Sequence, residues 1–120
     1  MFVRQKTVKE VGAWDENYFF YGEDLDFYYR IHNAGWQNIF YAKPLLDHYK
    51  GASSGLRKES QKITKVDRET RIKVAKASVR GMETFYKKFY SKKYPSWLTA
   101  FILFGIKVRG SLRIINHYLK

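Results

Sequence analysis

The chain has no cysteine. That excludes a disulfide framework, a cysteine-based zinc site and a thiol nucleophile, and it fits a reducing compartment. A long apolar run is also lacking. The longest, Trp97 to Ile106, is interrupted by Thr99 and Gly105 and falls short of the roughly 20 residues that span a bilayer. Behind the charges of Met1-Phe2-Val3-Arg4-Gln5-Lys6 no apolar stretch follows, so no secretory leader is expected there. Neither an internal repeat nor a low-complexity tract is present. Acidic residues are scarce in one half only: residues 57–120 hold 17 Lys+Arg against 4 Asp+Glu.

What remains is enough for one domain or part of one. Of 120 residues, 45% are hydrophobic and 18% aromatic, the composition of a folded chain rather than a disordered one. Residues 1–56 carry 6 Lys+Arg against 7 Asp+Glu. A net charge of −1 in this first part and +13 in the second implies separate jobs. A surface as cationic as the second favours anionic partners.

The spacing predicts a short helix over Thr7 to Val11, with Thr7 as N-cap and Gly12 as stop. Trp14-Asp15-Glu16-Asn17 reads as a polar turn, and Tyr18 to Tyr21 as an aromatic connector. A helix from about Glu23 to Ala34 ends at Gly35. Trp36 to Tyr41 is strand-like and ends before Pro44. Leu45 to Tyr49 reads as a second extended piece, followed by a flexible loop, Gly51 to Gly55. Val66 to Tyr90 is a long helix whose Ile72, Ala75, Val79, Met82, Tyr86 and Phe89 form one apolar stripe. Pro95 suits the start of a last helix, Ser96 to Tyr118.

Three carboxylates open the second helix. Asp24 shares a face with Phe27, Tyr28, Ile31 and Ala34, so it is expected to point inward. Asp26 lies four residues before Arg30, an acid-first pair that needs only a structural role. Glu23 meets the positive end of the helix dipole. One reading is that all three serve the helix N-terminus, with Asp24 as a cap. The other places Asp24 in a cleft walled by Trp14, Phe20 and Tyr21, as a base that takes a proton from a substrate hydroxyl. His48 ends the Leu45-Leu46-Asp47 piece. It is either a hydrogen-bonded structural residue or a metal ligand whose co-ligands lie outside this chain.

Four blocks in order carry a family resemblance. They are Val3-Arg4 with Val11-Gly12-Ala13-Trp14-Asp15-Glu16; Phe19-Phe20-Tyr21-Gly22-Glu23-Asp24-Leu25-Asp26-Phe27; Tyr29-Arg30-Ile31 with Ala34-Gly35-Trp36; and His48-Tyr49-Lys50-Gly51-Ala52-Ser53-Ser54. Together they resemble the C-terminal, acceptor-side part of a glycosyltransferase family 2 enzyme of the rhamnosyltransferase-like kind, with a GT-A fold. The resemblance covers Phe2 to about Ser54. It implies an inverting transfer, in which an acceptor hydroxyl attacks the anomeric carbon of a nucleotide sugar. It assigns the catalytic base to Asp24 and substrate contacts to Trp14, Asp15, Tyr21, Glu23, Ser53 and Ser54. It makes His48 a ligand of a divalent metal, Mg or Mn, that grips the donor diphosphate. The nucleotide-binding half of the family, with its own Asp-x-Asp, has no counterpart here, since Asp24-Leu25-Asp26 belongs to the base motif. The expectation is therefore a fragment, or the product of a split or truncated gene, inactive alone and holding no metal firmly by itself.

The fold class that follows is α/β, mostly helical: an incomplete GT-A half of short helices and a few short strands over 1–56, then two long basic amphipathic helices over 57–120. The implied partners are a nucleotide sugar and a glycan or lipid-linked acceptor, together with an anionic membrane surface, a second copy of the chain or the nucleotide-binding half. The implied location is cytoplasmic, peripheral at the inner face of the plasma membrane. The alternative is a non-catalytic remnant or interaction module that binds a membrane or a partner chain through its basic helices. Nucleic acid ranks last: no binding motif appears, and the aromatics cluster in the acidic half.

Overall fold

The computed structural model describes residues 1–40, 42–43 and 66–118. These form four helices: α1 (Gln5–Val11), α2 (Glu23–Asn33), α3 (Arg68–Phe89) and α4 (Ser96–Tyr118). No strand occurs among the described residues, so the α/β expectation holds only in its helical part. Residues 36–40, expected as a strand, are irregular. Ile39 and Phe40 are 81% and 92% exposed. β-Formers make a strand only where a neighbour takes their backbone hydrogen bonds and covers a face. Leu45 to Tyr49 and the Gly51 to Gly55 loop lie outside the described residues.

Local signals set the helix ends. Gly12 and Gly35 take φ of 80° and 81°, the left-handed region that stops α1 and α2. The Asp67 carboxylate accepts the Thr70 N–H at 2.9 Å and caps α3. The Pro95 carbonyl accepts the first α4 bond, from the Thr99 N–H, at 3.0 Å. Thr7 is not the cap it was expected to be. The helix begins at Gln5 on an extended Arg4, and Thr7 is buried inside its first turns.

The two faces of α3 join the molecule together. One carries Ile72, Ala75 and Val79 of the expected stripe, while Met82 of that stripe is exposed; here α4 comes close, and a Cβ on Gly110 would lie 2.5 Å from a Val79 methyl carbon. The opposite face carries Val74, Ala77, Gly81, Phe85 and Lys88, spaced by three and four. Val74, Ala77 and Gly81 are buried. A Cβ on Gly81 would collide with the Tyr21 carbonyl. Phe85 and Phe89 enclose the Tyr29 ring at centroid distances of 5.5 and 4.5 Å. The small residues of this second face let α3 approach the backbone ahead of α2.

Candidate functional site

Tyr21 and Gly22 precede α2 with φ of 78° and 105°. Glycine tolerates this backbone, but a tyrosine held there is strained and persists only where its surroundings over-determine it. Here they do. Gly22 lies against the Tyr18 ring, and Gly81 lies against the Tyr21 carbonyl. The strained turn leads directly into Glu23, Asp24 and Asp26, which sit at the positive end of α2.

The carboxylates are arranged opposite to expectation. Asp26 is fully buried. It accepts from the Tyr18 hydroxyl at 3.1 Å, from Arg30 Nε at 2.6 Å and from Lys88 Nζ at 2.7 Å. Asp24 is exposed, and its Oδ1 accepts the Leu25 N–H at 2.8 Å. The buried arc of α2 runs from Asp26 through Arg30 and Phe27 to Ile31, and at about 100° per residue Asp24 falls just past its edge. The inward orientation read for Asp24 is thus corrected, and the pairing of Asp26 with Arg30 is only one of three charged or polar contacts.

From Asp26 a lattice spreads to the Trp14 turn. Arg30 donates to the carbonyls of Val11 and Gly12 through one terminal nitrogen, and to Ala13 through the other at 2.7 Å. Lys88 also reaches Asp15 Oδ2 at 2.5 Å, while Asp15 Oδ1 accepts from the Asn17 backbone and side chain at 3.0 and 2.7 Å. The Lys88 hydrogen bond, helped by Asn17, holds the Asp15 carboxyl down to about 2. Burial opposes the Lys88 charge, but its bonds to Asp15 and Asp26 outweigh that and raise its pKa. Burial first, then the charge of Asp26, keeps the Tyr18 phenol protonated well above the usual range.

The expected aromatic cleft does not form around Asp24. Trp14 packs on Phe27 at 4.6 Å instead, and Phe20 stands edge-on to Tyr21 at 4.7 Å. A cavity of about 390 Å³ lies beyond the far end of α2, lined by His32, Trp36 and Ile39 among others. One Glu23 carboxylate oxygen is buried with no hydrogen-bond partner among the described residues. His48, Ser53 and Ser54 lie outside the described residues. Among those described, no three His, Asp or Glu side chains converge as metal ligands, and the acids that do approach one another, Asp15 and Asp26, are bridged by Lys88. These residues do not fit a metal.

The structure thus brings Trp14, Asp15, Tyr21, Glu23 and Asp24 to one end of α2 and adds Tyr18, Arg30 and Lys88. Sequence periodicity did not single out Lys88. The usable signal was the second stripe of α3, from Val74 to Phe85, which ends on this lysine.

No family model and no solved structure matches the chain. Among curated proteins it is similar to the N-acetylglucosaminyl-diphospho-decaprenol L-rhamnosyltransferase of Mycobacterium tuberculosis, in each of two strains, CDC 1551 / Oshkosh and ATCC 25618 / H37Rv. Identity is 36% over 55 residues, which is 46% of this chain and 18% of the relative. The chain therefore corresponds to less than a fifth of the length of the proteins it matches. The likeness is to a glycosyltransferase and extends no further than that stretch.

Proposed function

We propose that this chain is the acceptor-side portion of an inverting, GT-A, family 2 glycosyltransferase that moves a sugar from a nucleotide-sugar donor to a glycan or lipid-linked acceptor. The observation that carries the reading is the strained Tyr21-Gly22 turn. An ionic lattice and a close α3 backbone hold it so that it presents Asp24 at a helix start. Costly backbone conformations that are held in place cluster at functional sites. The likeness to a rhamnosyltransferase supports the sugar-transfer class.

In this reading Asp24 is the base. It is exposed to an incoming alcohol at the start of α2. It takes the proton of the acceptor hydroxyl as that oxygen attacks the anomeric carbon and the donor diphosphate leaves. Glu23 lies beside Asp24 at the helix start as a substrate contact. Trp14, Asp15 and Tyr21 line the acceptor side, with Ser53 and Ser54 nearer the diphosphate. Asp26, Arg30, Tyr18 and Lys88 are positioning residues. The donor side comes from a nucleotide-binding half, and activity requires it. The Mg or Mn ion of the whole enzyme, with His48 as one ligand, belongs to that assembly.

The test joins this chain, fused or co-expressed, to a nucleotide-binding half and measures sugar transfer. Asp24→Asn should lower kcat by about 10²- to 10⁴-fold while melting as the parent does. Full activity of Asp24→Asn would remove the base assignment.

A further inference from the structure

Helix α4 packs on α3 through one side and leaves the opposite side bare. Gly110 is buried against Val79. Across the helix, Trp97, Phe101, Phe104, Val108, Leu112 and Ile115 are between 42% and 72% exposed. Their spacing of four, three, four, four and three residues aligns them in one strip along the helix from Trp97 to Ile115. The strip is about 27 Å long at 1.5 Å per residue. Large apolar side chains exposed in a continuous row mark an interaction surface.

The charges select the occupant. No acid follows Glu83, whereas eight Lys and Arg do. At about 100° per residue, Lys107 and Arg109 fall on opposite borders of the strip, and both are exposed. Long cationic side chains placed so can lay their stems along apolar material and keep their charges at the level of water. A second copy of α4 facing the first would bring cationic borders together with no acid on either helix to offset them. A bilayer rich in anionic headgroups meets both demands, with acyl chains under the strip and phosphates beside the cations. No helix among the described residues is long and apolar enough to cross a membrane.

We propose that α4 docks flat on an anionic bilayer surface, with the Trp97–Ile115 strip below the headgroups and Lys107 and Arg109 among the phosphates. The inference stands on α4 alone and does not need the sugar-transfer reading.

The test is flotation of the full chain with two kinds of vesicle: phosphatidylcholine alone, and phosphatidylcholine with about a third phosphatidylglycerol. Binding should be about ten-fold tighter or more on the anionic vesicles, and salt should weaken it. The double variant Phe101→Glu/Phe104→Glu should lose about ten-fold or more with unchanged helical circular dichroism. Phe2→Glu, at a residue 91% exposed elsewhere on the chain, should stay within about two-fold. Lys107→Gln/Arg109→Gln should lose about five-fold per charge removed. Three results would overturn the proposal: no binding, equal binding to both vesicles, or full binding by Phe101→Glu/Phe104→Glu. Sedimentation that shows a dimer abolished by that same double variant would also overturn it, and would assign the strip to a second copy.

Discussion

The region around α2 and the α3–α4 hairpin use the same kinds of side chain to opposite ends. Around α2 charge is drawn inward. A fully buried aspartate is held by an arginine, a lysine and a tyrosine, and those groups in turn hold three consecutive carbonyls and the Asp15 turn. In the hairpin the close contact is apolar, glycine on valine. Apolar packing is tolerant of small shifts, whereas a buried ion with several directional partners is not. The first region therefore suits a site that must keep a strained turn in one geometry. The second suits a support with a face to spare.

The contrast can be broken at its centre. Asp26→Ala should destabilise the chain by about 3–5 kcal/mol, because it leaves Arg30 and Lys88 facing each other without their shared anion. Lys88→Met should cost less, about 1–2 kcal/mol, since Asp26 keeps two partners and Lys88 is a third exposed. Denaturant melts of the two variants check the order. Equal and small losses would mean that the lattice does not organise the region.

The seam between the regions gives the next largest effect. Gly81→Ala puts a methyl group into the Tyr21 carbonyl, which is backbone and cannot swing aside. A loss of about 1–3 kcal/mol is expected, together with a change in Tyr21 fluorescence or NMR shifts. A neutral Gly81→Ala would show that α3 does not press on the strained turn.

The smallest effect is in acid. The Asp15 carboxyl is lowered to about 2 in the folded chain from an unfolded value near 3.9. Its contribution is therefore complete above about pH 4 and disappears as pH falls through about 2. Thermal melts between those limits should show a component that Asp15→Asn removes. The Lys88 pKa is raised, so its contribution has the reverse sense. It is present below the ordinary lysine value and is lost as pH rises through the raised one.

Legibility followed range. The helical content of α2, α3 and α4 could be read from spacing, and Gly12, Gly35 and Pro95 marked ends correctly, because caps and periodicity act within a few residues. The strand read over Trp36 to Tyr41 failed over residues 36–40 because a strand depends on a neighbour that the segment itself cannot specify. The choice between Asp24 and Asp26 failed for a related reason. A stripe counted on one helix cannot show that a lysine 73 residues beyond Asp15 arrives from another helix and draws the interior face round by part of a turn.

The amino-acid order alone determined where this chain coils, where each coil stops and how its charge divides. Those are consequences of neighbouring side chains and backbone. Which carboxylate is buried, which face of α3 meets the acidic end and which face of α4 stays uncovered were decided only when the helices packed. Desolvation and ion pairing depend on every group that closes around a site, and those groups come from distant parts of the chain.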